Sequence, residues 1–171
     1  MTTPGPFKVL FVCNSNSARS ILAEYLLRRL GGGRFEVSSA GAALTSTVHP
    51  LTLKVLRERF RIDPAGARSK SWDEYRGVRF DFVITVCDKT RESCPTFPGQ
   101  PVVAHWGSPD PAAVEGTEAD QERAFVQVGM ETARRLELFC ALPIEKLERL
   151  RLEHLTRSIG ENQGNISQGH P

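Results

Sequence analysis

The chain has 171 residues, the length of one compact domain, and its 40% apolar and 8% aromatic residues supply a core and exclude global disorder. Twenty-two Lys and Arg against 20 Asp and Glu leave a net charge of +2, no footprint for duplex nucleic acid or an anionic membrane surface. Apolar runs far shorter than a membrane span, no signal-peptide pattern and four cysteines predict a cytoplasmic chain whose thiols do chemistry or bind metal rather than staple a scaffold.

Phe7 to Val12 is a short apolar run of strand formers, beginning just after Pro4-Gly5-Pro6, and it predicts a buried strand. A polar stretch from Cys13 to Ser20 follows. Leu22, Leu26 and Leu30, with Ile21 and Tyr25 beside them, predict a helix closed by Gly31-Gly32-Gly33. Residues 34–39 predict a second strand. Pro50 opens a second helix over 50–61, with Leu51, Val55 and Leu56 on its apolar side. Phe80 to Val86 hardly alternates, which predicts a third strand covered on both faces. Residues 87–99, with two Cys, Pro95, Pro98 and Gly99, predict a long functional loop or a marginal helix.

Pro101 to His105 predicts a fourth strand, and Thr117-x-x-Asp120 a capped start for a long helix over 118–141. Leu142-Pro143 interrupts that helix, and a second amphipathic stretch runs to about residue 159. The expected division is a domain over 1–141, a helical extension over 142–159 and a flexible tail over 160–171. Strands alternating with helices imply right-handed βαβ units, so the expected fold class is α/β, a three-layer sandwich around four parallel strands.

The strongest chemical signal is Cys13-x5-Arg19 between the first strand and the first helix. Asn14, Ser15, Asn16, Ser17 and Ala18 are small enough for backbone N–H groups to converge, and the helix aims its positive end at the loop centre. Such a loop binds a tetrahedral oxyanion, with Arg19 supplying a bidentate fork. The same field favours the thiolate of Cys13, a nucleophile at neutral pH. Ser20 can donate a hydrogen bond to that thiolate. The bland alternative is a buried Cys ending a core strand before an ordinary turn.

The segment from Val9 to Glu24, reading Val-Leu-Phe-Val-Cys-Asn-Ser-Asn-Ser-Ala-Arg-Ser-Ile-Leu-Ala-Glu, resembles the phosphate-binding loop of low-molecular-weight protein tyrosine phosphatases and of the arsenate reductases that share their fold. Ser38-Ser39-Ala40-Gly41 is similar to the second strand of that superfamily. The resemblance covers about residues 7–140.

Cys87 and Cys94 separate the two activities. Hydrolysis of a cysteinyl-phosphate needs one Cys and a general acid, whereas reduction of an oxyanion needs two electrons, which a thiol relay supplies. The Cys87-x6-Cys94 pair resembles the redox pair of thioredoxin-coupled arsenate reductases, as does Ala104 to Ala112, where no Tyr follows Asp110-Pro111. Cys87 and Cys94 could instead be inert core thiols, or zinc ligands with His105. Cys140 reads as core.

The resemblance implies a sequence of steps. Cys13 attacks arsenate held by residues 14–19, Asp110 protonates the leaving oxygen, and Cys87 attacks Cys13 to release arsenite. Cys94 then attacks Cys87, and an external thiol, thioredoxin or a low-molecular-weight one, reduces the resulting disulfide. No bound cofactor is expected, and the expected state is a monomer. Asp110-Pro111 could also be only a turn. Asn16, Glu24 and Ser39 match three side chains of the relatives' potassium site, but the fourth, acidic there, aligns with Lys70, whose ammonium could substitute for the ion. Two alternative functions stay open: a phosphatase acting on phosphate monoesters, and an anion-binding or redox-regulated module without turnover. The polar run Asp88 to Ser93, stopped by Pro95, predicts that residues 88–99 are the most mobile part of the domain.

Overall fold

The computed structural model describes residues 5–43 and 47–168, with side chains given to residue 161. Four strands, β1 (Phe7–Cys13), β2 (Phe35–Gly41), β3 (Phe82–Thr85) and β4 (Val102–His105), form one parallel sheet in the order β2-β1-β3-β4. In β1, which is central, Val9, Leu10, Phe11 and Val12 are fully buried. Successive side chains alternate between faces, so Val9, Phe11 and Cys13 join one apolar cluster and Leu10 and Val12 another.

The larger cluster is built by helices. α1 (Arg19–Gly31) contributes Ile21 and Leu22, α2 (Pro50–Glu58) contributes Leu56, and α4 (Glu118–Cys140) contributes Val128, Leu136 and Phe139. Each such side chain taken from water contributes about 1.5–3 kcal/mol before entropy is counted. The other face is covered by Phe80 and Phe97, with Trp72 and Tyr75 of a 3₁₀ turn and Cys94 packed against them. α4 starts as its sequence predicts, at a capping box in which Thr117 Oγ1 accepts from Asp120 N (3.1 Å) and Asp120 Oδ2 accepts from Thr117 N (3.0 Å).

Within residues 87–99 a single helical turn forms, α3 (Asp88–Arg91). The second helix ends at Glu58, three residues short of the predicted end. The C-terminal segment departs further from expectation. α5 (Arg149–Gln168) continues through residues 160–168, where the sequence predicts a flexible tail, and residues 169–171 of that predicted tail lie outside the described residues. Leu152, Thr156 and Ile159 are buried, and Thr156 O accepts from the Trp106 indole (3.1 Å). Gly160 lies within the helix, and its missing Cβ allows the close approach to the end of β4: a methyl there would meet His105 O and the Trp106 ring. The helix is therefore part of the same core.

Candidate active site

Parallel pairing brings the carboxyl ends of β1 and β3 to the same end of the sheet. Their last paired residues are Val12 and Thr85, and Val86 N donates to Val12 O (2.9 Å). Cys13 thus ends β1 beside the residue that precedes Cys87. Both thiols are 2% exposed and belong to the same apolar cluster. Pockets outside the carboxyl ends of parallel strands are where such sheets bind ligands.

The loop from Cys13 to Arg19 is held by its own side chains. Asn16 N donates to Cys13 Sγ (3.2 Å), and Ser20 Oγ lies 2.9 Å from the same sulfur. The Asn16 side-chain amide donates to Ser20 Oγ (2.8 Å) and Ser39 Oγ (2.9 Å). With its oxygen occupied as an acceptor, Ser20 has its own proton free for the sulfur, the geometry a thiolate needs. Asn16 adopts a left-handed backbone (φ 52°), a conformation Asn tolerates better than most residues. Sequence reasoning used Asn16 for its amide and as an ion ligand, and missed it as the hub of the loop.

Gly41 is a second residue whose role only the fold reveals. A Cβ there would stand 2.9 Å from both Asn14 O and Asn16 N, so only glycine lets β2 support the loop. Ala43 N donates to Asn14 O (2.7 Å), Ser69 Oγ to Asn16 O (2.8 Å), and Thr52 Oγ1 and His49 N to Ser17 O. The remaining loop hydroxyls, Ser15 and Ser17, pair with each other at 3.1 Å. Ala18 precedes α1 with no side-chain cap and no acidic residue in the first turn, leaving the helix N–H groups free for an anion.

Arg19 is oriented by Ser108 O, which accepts from Nη1 (2.9 Å). Its Nη2 stands 4.0 Å from Asp110 Oδ2. Asp110 is half-exposed at the rim, and its other oxygen accepts from Ala112 N (3.0 Å), capping the 3₁₀ turn Pro111–Ala113. The structure therefore brings Cys13, Ser20, Arg19, Asp110 and Cys87 to one end of the sheet. Cys94 is apart from them, half-buried against the opposite apolar cluster, and that burial pushes its thiol up to about 11. Cys140 is also partly buried, packed against the helical cluster. His105 is engaged by Thr85 Oγ1 (2.8 Å) and Asp88 Oδ1 (2.9 Å).

The donors of a potassium ion are present, but the residues do not fit one. Lys70 Nζ sits among Glu24 Oε1 (3.4 Å), Ser39 Oγ (3.4 Å) and Arg68 O (2.9 Å), and Lys70 N donates to Asn16 Oδ1 (2.8 Å). An ammonium fills the centre of the donor set. Burial pulls the Lys70 amine below its ordinary value, against the opposing pull of Glu24. Lys70→Met would leave the buried Glu24 carboxylate with Arg28 as its remaining ion pair (3.1 Å). The expected cost is about 3 kcal/mol, a fall of roughly 6–12 °C in Tm for a chain of this size, with native Tm unaffected by added potassium. Thermal unfolding of both proteins in sodium and potassium buffers checks this.

Residues 8–132 match the family model described as low molecular weight phosphotyrosine protein phosphatase. The chain belongs to that family. An arsenate reductase of Oceanobacillus iheyensis is 33% identical over 131 residues, 77% of this chain and 93% of the relative. The crystal structure of an arsenate reductase from Archaeoglobus fulgidus matches with a TM-score of 0.63 at 28% identity, over 78% of this chain and 99% of that one. A thioredoxin-dependent arsenate reductase of Corynebacterium glutamicum matches at 0.59 and 29% identity, over 85% of this chain and 66% of that one. Within this phosphatase family, Gly41, Asn16 and the Arg19–Ser108 contact hold the Cys13–Arg19 loop of this member.

Proposed function

We propose that this protein is an arsenate reductase that turns arsenate into arsenite through Cys13, Cys87 and Cys94, in arsenic detoxification. One observation carries the reading: a second buried thiol, Cys87, shares the cluster of the loop nucleophile, two residues past the end of the strand next to it. Hydrolysis gives that thiol nothing to do.

The Cys13 thiolate attacks arsenic held by the loop amides and the Arg19 fork, and one oxygen leaves as water with a proton from Asp110. Ser20 stabilises the sulfur before attack. The Cys87 thiolate then attacks Cys13 Sγ, the S–As bond breaks, and its electron pair goes to arsenic, which departs as arsenite. Cys94 attacks Cys87 Sγ and returns Cys13 as a thiolate. An external dithiol of the thioredoxin class, or a small thiol, reduces the Cys87–Cys94 disulfide. The protein is read as a cytoplasmic monomer without a bound cofactor. Among the described residues no helix is long and apolar enough to cross a membrane.

The test is arsenate-dependent turnover with thioredoxin and its reductase, set beside hydrolysis of an aryl phosphate. Arsenate turnover should dominate. Aryl phosphate hydrolysis without arsenate turnover would leave a phosphatase instead, and neither activity would leave a non-enzymatic anion-binding module.

A further inference from the structure

Arg135 of α4 is buried, 7% exposed, yet its Nε has no hydrogen-bond partner. Its Nη1 donates to Gly107 O (3.0 Å) and its Nη2 reaches Gly160 O only at 3.5 Å. No carboxylate lies within ion-pair distance of it among the described residues. Glu131, a turn earlier on α4, acts on it from outside that range. A buried charge with an idle donor requires an explanation.

Arg135 lines a cavity of about 500 Å³ whose wall includes Arg91 of α3, His105 and Gly107 at the end of β4, and Arg157 and Glu161 of α5. Arg91 and Arg157 are exposed and likewise have no ion-pair partner among the described residues. Arg157 spends its Nε on Val103 O (3.2 Å) and keeps its terminal nitrogens. His105 is engaged by Asp88 and Thr85. Three guanidiniums against two exposed carboxylates, Glu161 in the wall and Asp88 on His105, leave a surplus of one positive charge, which suits an oxyanion. Forked donors suit the oxygens of a tetrahedral oxyanion.

We propose that this cavity is a second oxyanion site, separate from the Cys13 loop, which takes a phosphate-class oxyanion between Arg91, Arg135 and Arg157. The two sites are neighbours across one loop: Arg135 holds Gly107 O on one side, and Arg19 holds Ser108 O on the other. Arg91 also places the edge of the Cys87–Cys94 segment in the wall of the second site. The cavity exceeds a bare phosphate, so the oxyanion is either free or the head of a phosphate ester.

The proposal is tested by titrating the reduced, nitrogen-15-labelled protein with inorganic phosphate and with glycerol 3-phosphate at low ionic strength. The amides of residues 14–19 should follow one isotherm, and the Arg135 Nε–H signal with the amides of Gly107 and Gly160 a second. Arg91→Gln and Arg157→Gln, both surface changes, should each weaken the second isotherm about tenfold or more and leave the first in place. Tighter binding of the ester would identify the occupant as a phosphorylated small molecule, and tighter binding of phosphate as the free ion. An Arg135 signal that stays still, or that follows the loop amides and ignores both substitutions, would overturn the second site.

Discussion

Replacing Cys13 with serine is expected to abolish arsenate reduction while leaving phosphate binding at the loop intact. Two independent losses make the effect complete. A hydroxyl is not ionised near neutral pH, so the attacking anion disappears. Even a slow attack would then fail, because an alkoxy-arsenate offers Cys87 no sulfur to take, and no disulfide can supply the two electrons. Binding survives because the oxyanion donors are the free N–H groups ahead of α1 and the Arg19 guanidinium, none of which Cys13 provides. Single-turnover arsenite formation and a phosphate titration on the variant measure the two halves. Arsenite formed by the variant would remove Cys13 as nucleophile. Cys87→Ser should show the complementary pattern, with reduction lost and slow aryl phosphate hydrolysis retained.

The elements that set this chemistry were legible wherever one local rule dominated. The apolar run of β1, the small polar residues after it and the helix row that follows each identify one element, and together they locate the Cys13–Arg19 loop. The Thr117–Asp120 box is likewise a local code, and the structure shows both of its hydrogen bonds. What could not be read depends on contacts between segments far apart in the chain. Asn16 reaches Ser39 and Lys70, which lie 23 and 54 residues away. Gly41 matters only because the loop folds against it, and Gly160 reads as a helix breaker until β4 is placed under it. Arg135 gives no signal in the sequence at all, since an Arg on a long amphipathic helix is ordinarily a solvated side chain. Lys70 is the exception: matched to an acidic position in relatives, it stands out in the sequence itself.

Oxidation is expected to unwind α3. A disulfide needs Cα atoms about 4.4–6.8 Å apart, and seven residues of helix rise ~10 Å. Here the helical bonding continues to the second thiol, because Cys94 N donates to Thr90 O (3.1 Å). Cys87 and Cys94 also pack into clusters on opposite faces of the sheet, so one of them has to cross. Little resists that movement. Between Asp88 and Ser93 only Thr90 is buried, tied to Cys87 through its hydroxyl (3.1 Å to the carbonyl).

The same burial makes the opening depend on pH. With its pKa pushed up to about 11, Cys94 stays a thiol in the closed segment at neutral pH. Once released it returns to about 9, which raises its thiolate fraction at pH 7 about 100-fold and lets it attack Cys87. The closed segment holds its full advantage below about 9 and loses it as pH climbs toward 11, because only the open form ionises in that window. Hydrogen exchange over residues 88–94, corrected for the intrinsic rate, should therefore grow above pH ~9 in the reduced protein and stay flat in Cys94→Ala. Protection should vanish in the oxidised protein. Cys94→Ser should complete one turnover and stall as a Cys13–Cys87 disulfide visible by mass spectrometry. Equal, strong protection of residues 88–94 in both redox states would rule out a relay that passes through Cys94.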